Sequence, residues 1–168
     1  MHRNIANIIS ATDINTSAVI EFAVSHIKVK HVVLCGHTSC GGAAAALLDS
    51  RIGGVLDTWL TPLKAVRFDR ADELAAIRDD KARAIRLAEL NVEAGVKVLM
   101  ANSNIREAIQ ERGLQVHGCI FELASGRVRD LGFGTGKGGG RFGSDEEVVR
   151  GKHAMLVFRG GNASMSAK

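Results

Sequence analysis

A histidine and a cysteine stand three residues apart in the stretch VVLCGHTSCGGAAAALLD, residues 32–49. Neutral imidazole and thiolate are donors that zinc favours, and a catalytic zinc site takes three protein ligands and keeps a fourth position open. His37 and Cys40 are therefore a candidate metal pair. The spacing alone is a weak signal, because a packed cysteine near a core histidine has the same appearance. Position adds to it: an apolar run ends just before His37 and an Ala-rich run begins just after Cys40. A cysteine near a helix N-terminus meets unpaired N–H groups and the positive end of the dipole, which favours the thiolate. The carboxyl end of a strand is also where open α/β sheets place their sites.

The elements that must hold this pair can be read on both sides of it. Val19, Phe22, Ala23 and His26 recur at helical spacing in SAVIEFAVSH, which predicts a helix over 17–26. HVVLCG, residues 31–36, is short, β-branched and closed by a glycine, as expected of a buried strand. Residues 37–42 then form a strand-to-helix turn, with Ser39 as the expected cap of a helix carried by AAAALLD. Residues 51–80, with the single Pro62 and the single Trp59, read as loop and short helix. An amphipathic helix is expected from about Lys81 past Gly95 to Met100. Another is capped by Asn102 or Ser103 and stopped at Gly113. LQVHGCIFEL, a turn at ASG and a returning RVRDLGF predict a β-hairpin. Helices between strands, with a hairpin at the edge, give an α/β fold: a mainly parallel sheet flanked by helices.

The tail differs in character. Residues 1–134 form the expected domain, and 135–168 a Gly-rich tail in which HAMLVFRGG offers one more strand over 153–159. GTGKGG within it lacks the first glycine and the final Ser or Thr of a phosphate loop, and no strand-loop-helix context follows it. Hydrophobic residues make up 46% of the 168, enough for a real core, and length predicts one domain. The net charge of +4 is spread over faces where acids and bases interleave, as in residues 82–97, and aromatics are only 4%, which argues against nucleic acid as a partner. Three cysteines and no signal-like opening predict a reducing, cytoplasmic setting, and no stretch reaches the length of a membrane span.

In combination these motifs resemble the β-class carbonic anhydrases. VVLCGHTSCGG is similar to that family's second signature, a strand leading into Gly-His-(Ser/Thr)-x-Cys-Gly-Gly in which the His and the Cys bind zinc. RNIAN (residues 3–7) resembles the family's Arg-Asn-Ala-x-Asn segment. SAVIEFAVSHIKVKHVVLCGH resembles its helix into strand, and ELNV (residues 89–92) with VHGCIFELASGRVRDLGF its later helix and closing hairpin. The resemblance covers about residues 3–133. It implies zinc ligation by His37 and Cys40, with Gly36, Gly41 and Gly42 shaping the turn. The implied reaction is reversible hydration of CO2 to bicarbonate, in which zinc lowers the pKa of water from about 15.7 towards about 7. It implies a homodimer or higher homo-oligomer as well.

One departure from the family pattern is large. The family's first signature, Cys-x-Asp-x-Arg, supplies a third zinc ligand and an Asp-Arg pair, and no such motif occurs in this sequence; the Asp-Ser-Arg of LLDSRI follows a helix and has no Cys before it. No catalytic residue is therefore assigned. Cys35 lies two residues before His37, about 6.6 Å away along a strand and on the same face, so it is a candidate third ligand. Water, an added thiol or a residue of a partner chain are the alternatives, while His117 and Cys119 read as core or edge residues. His37 and Cys40 alone would leave a net positive ion with one soft donor fewer, so weak zinc retention and low turnover are expected. A non-catalytic scaffold acting as an interaction module is the competing expectation. The family's sheet has strands that precede RNIAN, and without them the HVVLCG strand is expected to have an open edge, which residues 153–159 are expected to cover, within the chain or by exchange.

Overall fold

The computed structural model describes residues 1–135, 154–159 and 162–167. After a short 3₁₀ turn at Ile5–Asn7, helix α1 runs over Ile14–Glu21 and continues into a π-helical turn at Phe22–His26. The helix starts three residues earlier than its apolar spacing suggests because Asp13 caps it: the carboxylate accepts from the backbone N–H groups of Asn15 and Thr16 at 3.1 and 3.3 Å.

Strand β1, His31–His37, is followed by α2, Gly41–Leu47. The stretch expected to be loop and short helix resolves into three short helices, α3 (Gly54–Trp59), α4 (Thr61–Asp69) and α5 (Ala71–Ala75), with Pro62 in the first turn of α4, where its missing N–H is not needed. The long helix α6 spans Asp80–Ala101, and Asp79 caps it by accepting from Ala82 N–H. Asn102 rather than Ser103 caps α7, Ser103–Arg112, its Oδ1 accepting from Ile105 N–H at 3.2 Å. Gly113, at φ 70°, ends that helix in the left-handed region.

Strands β2 (Gln115–Glu122) and β3 (Arg127–Gly134) form the expected hairpin. The sheet order is β1-β2-β3, with β1 parallel to β2 and β2 antiparallel to β3. The α/β sheet flanked by helices, with a hairpin at its edge, is as expected, and among the described residues it is mixed: the β1-to-β2 crossover carries the helices, and the tight turn after Glu122 makes the hairpin pair antiparallel. Strand β4, Ala154–Arg159, lies inside the span expected for an added strand, but it pairs with β5, Asn162–Ala167, in a separate hairpin and not with β1. Only Gly160 and Gly161 separate the two runs in sequence, and so short a connection favours local pairing over a distant edge. The Gly-rich stretch 136–153, including most of GTGKGG, lies outside the described residues.

Helix α6 lies against one face of the sheet. Val92 and Val96 of the helix meet Leu34 and Ile120 of the sheet there, all buried in the core that also holds Leu87, Leu90, Leu99 and Val116. The approach is close because glycine stands at the contact: a Cβ on Gly118 would lie 2.9 Å from Val92, and one on Gly95 would lie 2.5 Å from Leu34. The half-buried Glu89 of α6 joins the helix to the hairpin, accepting from Arg86 at 2.9 Å and from Arg129 of β3 at 2.6 Å, while Arg129 also reaches Glu122 at 3.1 Å.

Candidate metal centre

Alternation along β1 divides its side chains between two environments. Leu34 and Gly36 are buried on the α6 side, and Cys35 and His37 fall on the other. His37 ends the strand. Beyond it the chain is pinned to the end of β2 by two bonds: Thr38 N–H donates to the Phe121 carbonyl at 2.9 Å, and the Thr38 hydroxyl accepts from Leu123 N–H at 3.0 Å. Ser39, at φ 58°, occupies the left-handed region and turns the chain into α2. The expected cap at Ser39 is not formed. Its left-handed backbone makes it the turning residue, so the cap position falls to Cys40, whose side chain makes no capping hydrogen bond. Cys40 is buried.

The imidazole of His37 is oriented by its own turn, Nδ1 lying 2.9 Å from the Thr38 carbonyl oxygen. A carbonyl can only accept, so Nδ1 is the donor, and in the neutral tautomer that this selects Nε2 carries the lone pair. This is the arrangement by which proteins fix the tautomer of a metal-binding histidine. A bare imidazole nitrogen and an uncommitted thiol at one strand-to-helix turn fit zinc in kind, and they supply two of the three protein donors such a site uses.

Cys35 shares the His37 face and is exposed; its thiol points its weak donor at the Gly36 carbonyl, 3.3 Å away, and partial desolvation pushes its pKa up, against the thiolate form. Among the described residues no group of three or more His, Cys, Asp or Glu side chains gathers in a way that could hold a metal ion. His117 and Cys119 are buried, at 5% and 0% exposure, on the strand next to β1. His117 Nε2 lies 3.1 Å from His31 Nδ1, and burial holds its pKa down. Burial, followed by the neighbouring Asp130 and Cys35, drives the Cys119 thiol well above its ordinary range. Asp130 itself is buried and raised for the same first reason.

Two supporting features escape a reading by motif. Asn91 donates from Nδ2 to the Ala6 carbonyl at 2.7 Å, and Trp59 donates from Nε1 to the Ile5 carbonyl at 2.9 Å. The signal for Asn91 was present as an amide on the apolar face of a long helix, where a polar group must find a partner.

The carbonic anhydrase family model matches residues 1–128, a span that contains the strand-to-helix turn and most of the hairpin. The chain belongs to the β-class carbonic anhydrase family. Its sequence is 42% identical over 132 residues to the carbonic anhydrase of Candida albicans, covering 78% of this chain and 47% of that protein. Against the carbonic anhydrase of Emericella nidulans it is 41% identical, covering 78% of this chain and 58% of that one. The chain thus spans about half the length of these relatives. Among solved structures, a tetrameric β-carbonic anhydrase of Sordaria macrospora superposes with a TM-score of 0.79 at 69% identity, covering 80% of this chain and 68% of that one. The β-carbonic anhydrase CafA of Aspergillus fumigatus superposes with a TM-score of 0.75 at 53% identity, covering 78% and 62%. The α/β architecture and the carbonic anhydrase assignment are therefore those of the family. Among the described residues no helix is long and apolar enough to cross a membrane.

Proposed function

We propose that this chain takes part in the reversible hydration of CO2 to bicarbonate as a lyase of the β class, with His37 and Cys40 as zinc ligands. The observation that carries the reading is the hydrogen bond from His37 Nδ1 to the Thr38 carbonyl, which turns Nε2 into the ring nitrogen left for a metal at the same strand-to-helix turn that presents the uncapped thiol of Cys40. When bound, zinc supplies the Lewis acidity that makes water a nucleophile near neutral pH. The chain's own residues orient the donors. The Thr38 carbonyl holds the ring, the two bonds from Thr38 to the end of β2 fix where the strand stops, and left-handed Ser39 brings Cys40 round to the start of α2.

Two donors are one fewer than a catalytic zinc site uses, so residues 1–168 by themselves hold zinc weakly and turn over slowly in this reading, with Cys35 or a group from elsewhere completing the set. The tetrameric Sordaria relative supports a homo-oligomer for this chain too. The test is zinc content after dialysis against a mild chelator, together with CO2 hydration, for the wild type and the His37→Ala variant. The reading expects substoichiometric zinc and slow hydration, both abolished by the substitution. Activity and zinc content unchanged in His37→Ala would contradict it.

A further inference from the structure

The segment just ahead of α1 adopts a backbone that its residue types do not favour. Ala6 sits at φ 59°, ψ 22° and Asn7 at φ 43°, two consecutive non-glycine residues in the left-handed region. Such a conformation persists only where its surroundings determine it. Three side chains do so. Asn91 of α6 donates to the Ala6 carbonyl at 2.7 Å, Trp59 of α3 to the Ile5 carbonyl at 2.9 Å, and Asn4 to the Ile8 carbonyl at 2.8 Å.

What this turn touches gives it a role. A Cβ on Gly42 would lie 2.8 Å from Ala6 Cβ, and a Cβ on Gly36 would lie 3.3 Å from Asn7 Oδ1. Gly36 immediately precedes His37, and Gly42 follows Cys40 by two residues. The left-handed turn is thus wedged against both arms of the strand-to-helix corner: a methyl at Gly42 would collide with Ala6, and one at Gly36 would crowd Asn7 as well as meeting Val92 and Ile120. Asn91 is 6% exposed and reaches across 85 residues of sequence to hold it there.

We propose that Asn91 is a positioning residue for the metal pair: by gripping the Ala6 carbonyl it holds residues 5–7 as a wedge between β1 and α2, and so sets how His37 and Cys40 face one another. The proposal rests on the reading that these two residues bind zinc. It also makes a claim about the corner that does not depend on metal, since without the wedge the corner loosens.

The experiment compares the full chain with Asn91→Leu, which keeps the bulk and loses the donor, with Trp59→Phe, which keeps a ring and loses the indole N–H, and with Leu87→Ala, a fully buried core control elsewhere on α6. Zinc affinity is read by competition with a chromophoric chelator, and amide hydrogen exchange is read on the metal-free protein. Asn91→Leu is expected to weaken zinc by about 10–100-fold, the range typical of groups that orient metal ligands. It should also speed exchange over residues 38–44 by about tenfold, with the β2–β3 hairpin unchanged. Trp59→Phe should move both readouts in the same direction by less. Leu87→Ala should lower the unfolding midpoint and leave zinc affinity within about twofold. Unchanged exchange over 38–44 in both Asn91→Leu and Trp59→Phe overturns the proposal, as does a loss of zinc affinity in Leu87→Ala equal to that in Asn91→Leu. If the wild type binds no zinc while the exchange effect is present, the zinc reading fails and the wedge stands.

Discussion

On the face of the sheet that α6 covers, Leu34, Gly36, Val116, Gly118 and Ile120 are apolar or lack a side chain, and the helix packs down until added methyl groups would collide with it. On the opposite face the same strands carry His31, Cys35 and His37, then His117 and Cys119, then Asp130. Burial differs less between the faces than chemistry does, since Cys119 is as inaccessible as Ile120. One face determines whether the sheet forms. The other concentrates groups whose protonation and metal affinity depend on their surroundings, and the candidate zinc donors sit at its end, where β1 turns into α2. Period-two alternation lets one short strand serve both purposes without compromise.

Substitutions can break this division or sharpen it. The largest effect is expected on the packed face: Ile120→Ala, at a fully buried position, should lower unfolding free energy by about 2–5 kcal/mol in a denaturant titration. Gly118→Ala should cost about 1–3 kcal/mol by the same measurement, because the new methyl meets Val92, Val96 and Phe133 at 2.9 to 3.2 Å. Next comes Arg129→Met, which takes one of two guanidinium partners from Glu89 and should lower stability by about 1 kcal/mol, less in high salt. The smallest effect belongs to the other face and is visible only against pH. Burial raises the Asp130 carboxyl above its ordinary value, so as pH climbs through that interval the unfolded chain releases its proton first and the folded state loses stability. Asp130→Asn keeps an oxygen for the Gly132 N–H and should flatten this decline while leaving stability below the interval unchanged. Equal pH slopes for the wild type and Asp130→Asn over that interval would contradict the assignment.

How much of this was legible in the sequence varies with the range of the interactions involved. The β1 strand, the long α6 helix, the α7 start narrowed to Asn102 or Ser103 with its Gly113 stop, and the β2–β3 hairpin are set by local periodicity and turn chemistry, and they occur where those signals lie. The start of α1 was displaced because Asp13, outside the apolar spacing, supplies the cap. The destination of the tail strand was not legible: which edge a strand joins depends on competing partners, and β5 lay closer in sequence than the open edge of β1. At the candidate metal turn the residue types and their place at a strand end could be read directly. The tautomer of His37, the turning role of Ser39 and the support from Asn91 could not, because each depends on a backbone carbonyl or dihedral angle that residue types do not encode.

The central claim is that His37 and Cys40 grip one divalent ion. Its most direct test is the absorption spectrum of the cobalt-substituted full chain, recorded for the wild type, Cys40→Ala and His37→Ala under identical saturating cobalt. The account predicts a sulfur-to-cobalt charge-transfer band in the wild type, its loss in Cys40→Ala and a weaker-binding, altered spectrum in His37→Ala. A wild type without the band, or a band that survives in Cys40→Ala, would contradict it.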